Sequence, residues 1–393
     1  LDMETKVCLN IAEFVKRSNG IFGKSGTGKT FFTRLLLIGM VQKRAAVNLI
    51  FDMHNEYGWE GTSEQVRRVK GLKQLFPSQV AVFALDEESA RRRNVSTDFV
   101  VEIGYDEIEP QDIELLQETL NLTRPALEAV YQFAHRFGDQ RWLEGFFGLT
   151  GGEETKELIK ELEIHESSFS NLRRGLQKLR RLPFLVPHAR ESSVRRILEY
   201  LDRGMNVVLE FGRYTDVTVY VLVANILTRR IYDQYRERKE SAMGDKAAEP
   251  HPLVITIEEA HKFLSPSIAG QTIFGEIARE MRKYNVTLLV IDQRPSSIDD
   301  EVMSQLGTKA TYLLDNEKDI DSVLMGVSGK SELKTVLSKL EAKQQALIFG
   351  HALPMPVVIR TREYGSAESY KEFGFRDAAE LKRKSEQDIK DLF

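Results

Sequence analysis

The run Gly23-Lys24-Ser25-Gly26-Thr27-Gly28-Lys29-Thr30 fits the pattern G-x-x-x-x-G-K-[ST]. Between a strand and a helix, the backbone N–H groups of such a loop and the positive end of the helix receive phosphate oxygens, and the glycines let the backbone come close. Gly23, Ser25, Gly26, Thr27, Gly28 and the following Phe31 are therefore expected to form the nucleotide cradle. Lys29 would reach the β- and γ-phosphates of ATP, and the Thr30 hydroxyl would ligate Mg2+. The competing reading is an ordinary glycine-rich turn. Its flanks argue against that: the apolar end of Asn19 to Phe22 precedes it and a periodic apolar segment, Phe31 to Val41, follows.

The run Leu253 to Ile257 leads into Glu258-Glu259-Ala260-His261. It reads as a buried strand that delivers two carboxylates at its C-terminal end, where open α/β sheets bind ligands. One carboxylate can hold the magnesium shell and the other can polarise a water for attack on the γ-phosphate. Glu258 is assigned to metal and Glu259 to water. The bland alternative is a helix N-terminus that favours glutamate through its dipole.

Val286 to Ile291 ends in Asp292-Gln293-Arg294-Pro295, a third polar strand end. The Gln293 amide both donates and accepts, which suits a γ-phosphate or an attacking water, while simple turn chemistry remains the alternative. Asp52 or Glu56, after the run Val47 to Phe51, is a candidate to support the magnesium site, and the structural role that Asp has at many strand ends is the competing reading. A zinc site at His54 is rejected, because the single cysteine is Cys8 and no paired His or Cys spacing accompanies it. Arg279 and Arg282 can supply a guanidinium from a neighbouring subunit to the phosphoryl group in flight. Glu276 and Glu280 stand at ion-pair spacing to the same arginines, so a solvated face is the competing reading. Basic clusters occur at Arg67, Arg68, Lys70 and Lys73, at Arg91 to Arg93, and at Arg173, Arg174, Lys178, Arg180 and Arg181. Each can face phosphate; each can equally be a solvated face.

These residues need a parallel sheet to bring them together. Further short apolar runs lie at Val80 to Leu85, Val207 to Phe211, Ala310 to Leu314 and Ala346 to Phe349, with helices interspersed. The pattern is α/β with a mostly parallel central sheet. Between them, Leu127, Val130, Tyr131 and Ala134, and Val194, Ile197, Leu198 and Leu201, follow helical spacing with no strand in between. Such stripes must cover one another, which implies an inserted helical bundle. The expected division is a first core part at 1–105, the bundle at 106–203, a second core part at 204–365 and a helical tail at 366–393. Ser241 to Pro252 reads as an exposed connection, and Ile273 to Tyr284 as one helix.

With 393 residues, 42 % hydrophobic and 29 % charged, the chain can bury a core of full size, and neither disorder nor a collagen-like structure fits. One cysteine precludes a disulfide framework. No apolar run approaches the roughly 18 residues of a membrane span, and the start lacks the basic head and apolar core of a signal peptide. A cytoplasmic protein without membrane contact is expected. With a net charge of -4, any nucleic-acid contact has to come from local clusters or from a pore formed on assembly.

In order, GKSGTGKT (Gly23 to Thr30), FDMHNEYG (Phe51 to Gly58), ITIEEAHKFL (Ile255 to Leu264) and IAREMRKYNVTLLVIDQRPSSID (Ile277 to Asp299) resemble the HerA family of DNA-translocating ATPases, which is related to FtsK. The resemblance extends to Ala346 to Thr361. It implies a RecA-like P-loop NTPase core, homohexameric rings with ATP between subunits, double-stranded DNA threaded through the centre, and often a NurA-type nuclease partner in end processing or defence. It places the phosphate lysine at Lys29, the magnesium hydroxyl at Thr30, the acidic pair at Glu258 and Glu259, the sensor-like glutamine at Gln293 and the trans arginine near Arg282. Many P-loop motors carry Asp-Glu where this chain has Glu-Glu, so the division of labour within the pair stays open. Family members usually carry a small β-barrel before the core, whereas the P-loop here begins at Gly23.

The expected function is an ATP-driven DNA translocase or helicase-like motor. Two rivals share parts of the chemistry. One is a nucleotide-switched scaffold that recruits a nuclease without sustained movement; the other is a conjugation-type coupling ATPase.

Overall fold

A computed structural model describes residues 5–62, 68–242, 249–269, 272–341 and 344–374. Its strands form where β-branched and apolar runs can be buried on both faces. In chain order they are β1 (Asn19–Phe22), β2 (Val47–Asp52), β3 (Val80–Ala84), β4 (Phe99–Val100), β5 (Asn206–Glu210), β6 (Leu253–Ile257), β7 (Val286–Asp292), β8 (Thr308–Thr311), β9 (Gln345–Gly350) and β10 (Val357–Arg360). These ten make the central sheet in the order β10-β9-β8-β1-β7-β6-β2-β5-β3-β4, and two short pairs, Gly61–Thr62 with Arg68–Val69 and Ile103–Gly104 with Leu185–Val186, stand apart from it. From β8 to β4 every pairing is parallel; β9 and β10 are antiparallel additions at one edge.

Parallel pairing puts all C-terminal strand ends on one edge, and the register brings the chemistry level. Phe22 pairs with Asp292, and Ile257 lies opposite both Val290 and Phe51. The tips of β1, β7, β6 and β2, adjacent in the sheet but far apart in sequence, therefore open side by side.

Alternate residues divide the core into two layers. Ile21, Ile50, Val254, Leu289 and Ile291 face α1 (Lys29–Lys43), which covers them with Leu36, Leu37, Met40 and Val41. Leu49, Phe51, Val207, Leu209, Ile255 and Ile257 face the other way. That face is covered by the helices of the long insertion and by the helix Val217–Ser241. The helices named below are α2 (Pro110–Leu115), α3 (Arg124–Phe137), α4 (Glu166–Arg180), α5 (Ser193–Asp202), α6 (Val217–Ser241) and α7 (Ile273–Glu280). Leu127, Val130, Phe133 and Ala134 of α3 and Leu172, Leu176 and Leu179 of α4 join the same apolar cluster as the sheet face. The helical stripes thus pack onto the sheet layer as well as onto one another.

Several details differ from the sequence expectation. Phe99–Val100 is an unexpected edge strand, and Leu185–Val186, within the segment read as helices with no strand between them, pairs in parallel with Ile103–Gly104. The eighth strand is Thr308–Thr311, earlier than the run Ala310 to Leu314, because Tyr312 leaves the ladder after donating its N–H to Phe22 O at 2.8 Å. The edge strand β10 was not expected; it is short and only partly buried, so its pattern is weak. The helix from Ile273 ends at Glu280 and tightens into a 3-10 turn, Met281–Tyr284, closed by Asn285 at φ 64°. In the tail, Ala367–Glu372 is helical. Arg67, most of the connection after Ser241, and positions from 375 onward lie outside the described residues.

A buried ionic cluster ties α6 to the insertion. Arg229 Nη2 lies 2.8 Å from Asp112 Oδ2 and also pairs with Glu109, while Asn225 Nδ2 donates to Asp112 Oδ1 at 3.0 Å. Burial raises the Asp112 carboxyl to about 6, against the downward pull of Arg229. Removing the guanidinium strands a buried carboxylate, a change that costs about 3–5 kcal/mol. Arg229→Met is expected to lower unfolding stability by about that much in a urea titration; a loss below about 1 kcal/mol contradicts the assignment.

Candidate active site

The loop after β1 has the conformation its glycines permit. Gly23, Gly26 and Gly28 all have positive φ, at 149°, 78° and 109°. A Cβ at Gly23 would meet Tyr312 Cβ at 2.5 Å, so no side chain fits between the loop and β8. The loop is braced from within and behind. Thr27 Oγ1 donates to Lys24 O at 2.8 Å, and Thr27 O accepts the Gln344 N–H at 3.1 Å. Lys29 Nζ donates to Lys24 O at 2.7 Å, folded back across the cradle. Burial lowers its pKa to about 8, despite the opposing pull of Glu259.

A cavity of about 550 Å3 opens over this loop. Its wall includes Ser25, Gly26, Gly28, Lys29, Thr30 and Phe31 from the P-loop, Glu258 and Glu259 beyond β6, and Asp292 and Gln293 at β7. Three strand ends thus share one space. Arg34, His54, Glu56 and Gly61 complete the lining. Gly23 and Thr27 lie behind the wall and shape the loop.

The two glutamates differ in setting. Glu258 is buried; its Oε1 accepts the Tyr57 hydroxyl at 2.7 Å, and its Oε2 is buried with no hydrogen-bond partner. Burial, then the nearby Asp52 carboxylate, pushes its pKa well above the usual range. A buried acceptor left open in this way is suited to a cation. Among the described residues no group of three or more His, Cys, Asp or Glu can hold a metal unaided. The donor set therefore fits magnesium, which takes one or two carboxylates or a hydroxyl and completes its shell with phosphate and water.

Glu259 sits at φ 47°, a left-handed conformation that costs a non-glycine residue energy and clusters at functional sites. Its Oε1 accepts from Gln293 Nε2 at 2.9 Å. Beside it, Asp292 Oδ2 accepts the His261 backbone N–H at 2.7 Å and stands 2.9 Å from His261 Nδ1. Asp292 Oδ1 accepts the Arg294 N–H at 2.6 Å. Asp292 therefore clamps the turns after β6 and β7 together. Its hydrogen bond with Asp292 raises the His261 pKa.

Asp52, expected at the metal, is not brought to the cavity wall. It is fully buried, and its oxygens accept the N–H groups of Glu56 and Tyr57, each at 2.8 Å. Burial and then Glu210 raise its carboxyl to about 7. What it does is fold the loop that presents Tyr57 to Glu258. Arg279 and Arg282 also lie away from the lining. Arg279 is 3.6 Å from Glu301, whereas Arg282 is exposed and forms no ion pair among the described residues. Tyr57, His261 and Arg34 were missed by the sequence reading. The strand-end carboxylates were a signal that partners must exist, but not which ones.

A family model described as "Helicase HerA, central domain" matches residues 1–231. Over 386 residues the chain is 22 % identical to the DNA double-strand break repair helicase HerA of Pyrococcus furiosus, covering 90 % of this chain and 67 % of that protein. The protein of the same description from Sulfurisphaera tokodaii is 26 % identical over 234 residues, which is 54 % of this chain and 47 % of that one. The chain thus spans about two thirds of one relative and about half of the other. Among solved structures, VirB4 of Thermoanaerobacter pseudethanolicus superposes with a TM-score of 0.58 at 13 % identity, covering 90 % of this chain and 91 % of that chain. The likeness establishes the architecture as an α/β RecA-like core.

Proposed function

Because this chain belongs to the HerA helicase family, we propose that it is an ATP-driven motor acting on double-stranded DNA, built as a homohexameric ring. The observation that carries the reading is the single cavity shared by the phosphate loop, the acidic pair and Gln293. Relatives described as DNA repair helicases support DNA as the substrate.

Lys29 exchanges its contact with Lys24 O for the β- and γ-phosphates of ATP. Thr30 and the open oxygen of Glu258 are the groups that would hold Mg2+, which when bound neutralises charge on the phosphate oxygens. Glu259 accepts a proton from the attacking water. Gln293 holds that carboxylate at the cavity and can pass from it to the γ-phosphate or the water.

Lys29 and Arg34 are the cations in the lining. Arg34 is committed to Glu56 O and lies over the Phe31 and Tyr364 rings at 5.8 and 5.6 Å. Additional charge stabilisation must come from outside, and Arg282 of an adjoining subunit is the proposed donor. Ring assembly supplies it. A nuclease of the NurA type is the proposed partner. Among the described residues no helix is long and apolar enough to cross a membrane.

Phosphate release is expected to rise severalfold with duplex DNA, and the stimulation to fall steeply between about 50 and 200 mM salt. A rate indifferent to DNA at every salt concentration overturns the motor reading.

A further inference from the structure

The apolar stripe of α4, Phe169, Leu172, Leu176 and Leu179, points into the core. The opposite face is crowded with positive charge. Arg174, Lys178, Arg180 and Arg181 are exposed and Arg173 is half-buried, and no acidic residue occurs from Ser167 to Arg181. None of the five forms an ion pair among the described residues. Several surface arginines elsewhere are neutralised where they stand, Arg91 by Glu87, Arg195 by Glu199 and Arg213 by Asp86. In a chain of net charge -4 this concentration of unpaired cations is local and one-sided.

We infer that this face of α4 is a second contact surface for duplex DNA, distinct from the ATPase edge of the sheet, and that it binds the phosphate backbone without reading sequence. The inference rests on the DNA-motor reading above. Four of the five cations are arginines, which match phosphate oxygens in bidentate geometry. Between Arg173 and Arg181 the helix rises about 12 Å, enough to meet several phosphates along a strand or to span a major groove of about 12 Å. The other exposed residues of α4 are Ser167, Ser170 and Gln177, whose side chains also suit phosphate oxygens, and Glu166 at the start of the helix. A protein partner would instead be expected to find aromatic or aliphatic anchors at the centre of the patch, and none is exposed there. Two cations are already held in place. Lys178 Nζ donates to Thr119 O at 3.1 Å, and the Arg180 guanidinium lies 5.5 Å from the Phe147 ring centre.

The test uses the full chain and a random-sequence duplex, with affinity measured across salt concentrations. The variant is R174Q/R181Q, because neither side chain bonds to another element; Arg174 Nε reaches only Ser170 O, at 3.3 Å. Loss of two phosphate contacts is expected to weaken binding and to flatten the slope of log affinity against log salt by about 1.8. Hydrolysis without DNA should be unchanged, which reports an intact fold. An unchanged slope overturns the inference and leaves the motor reading standing. So does a variant that keeps DNA affinity but loses binding to polyglutamate, which would assign the face to an acidic protein. A parent chain that binds no duplex at all overturns both.

Discussion

Lys29→Ala is expected to abolish measurable ATP hydrolysis and to weaken ATP binding by a factor of roughly 30 to several thousand. The range follows from truncating one partner of a desolvated, hydrogen-bonded charge pair, which costs about 2–5 kcal/mol. In the free protein Lys29 Nζ makes its bond to Lys24 O and lies in a wall lined by Glu258 and Glu259. Alanine there removes the one cation that spans the loop. Equilibrium titration with a fluorescent ATP analogue reads the loss, and affinity within threefold of the parent contradicts the role.

The same residue sets a pH dependence. With its pKa lowered to about 8 by burial, free Lys29 begins to lose its proton above that pH. The triphosphate binds the charged form, so binding takes up a proton there. Affinity is expected to be level below pH 8 and to fall up to about tenfold per unit above it, until the pKa of the complex is reached. Lys29→Ala should show no such inflection.

Glu259→Gln is expected to lower the turnover number by about 10²- to 10⁴-fold, the usual loss when a general base is removed, while ATP affinity stays within threefold. The substitution is conservative at this position. Its amide oxygen can still accept from Gln293 Nε2, which the carboxylate now does at 2.9 Å, so the lock between the β6 and β7 tips persists without the base. Glu258→Gln should behave differently, because Glu258 is the buried group with the open oxygen and the Tyr57 contact. There the expected defect is a weakened dependence on Mg2+. If Glu258→Gln instead spares the metal dependence and Glu259→Gln destroys it, the two roles are exchanged. Glu259→Gln also separates a motor from a scaffold. A motor stalls with nucleotide bound, whereas a scaffold keeps activating its nuclease.

The parts of this site that could be read from the sequence are those encoded locally. The P-loop is a contiguous motif whose glycines have a conformational reason at each position, and Glu258, Glu259 and Gln293 follow strand-like runs whose polar ends identify a parallel sheet's ligand edge. What remained hidden depends on distance in the chain or on side-chain direction. Tyr57 and Glu258 are 201 positions apart, and nothing beside either one names the other. Asp52 occupies a strand end as Glu258 does, yet the turn that follows folds its N–H groups onto the carboxylate and turns it away from the cavity. The helix after Ile273 has an unbroken apolar period, and its tightening at Met281 comes from the return into β7 through Asn285. The basic face of α4 was visible as composition, but only the lack of ion pairs to its five cations among the described residues distinguishes it from neutralised arginines such as Arg91 and Arg213.

One metal-bound triphosphate is proposed to unite the tips of β1, β6 and β7. Crystals grown with Mn2+ and a non-hydrolysable ATP analogue test it through the anomalous signal of manganese. One strong peak is expected within bonding reach of Thr30 Oγ1 and Glu258 Oε2, with the γ-phosphate beside Glu259 and Gln293. A manganese peak remote from Glu258, or a nucleotide seated outside the P-loop cavity, would contradict it.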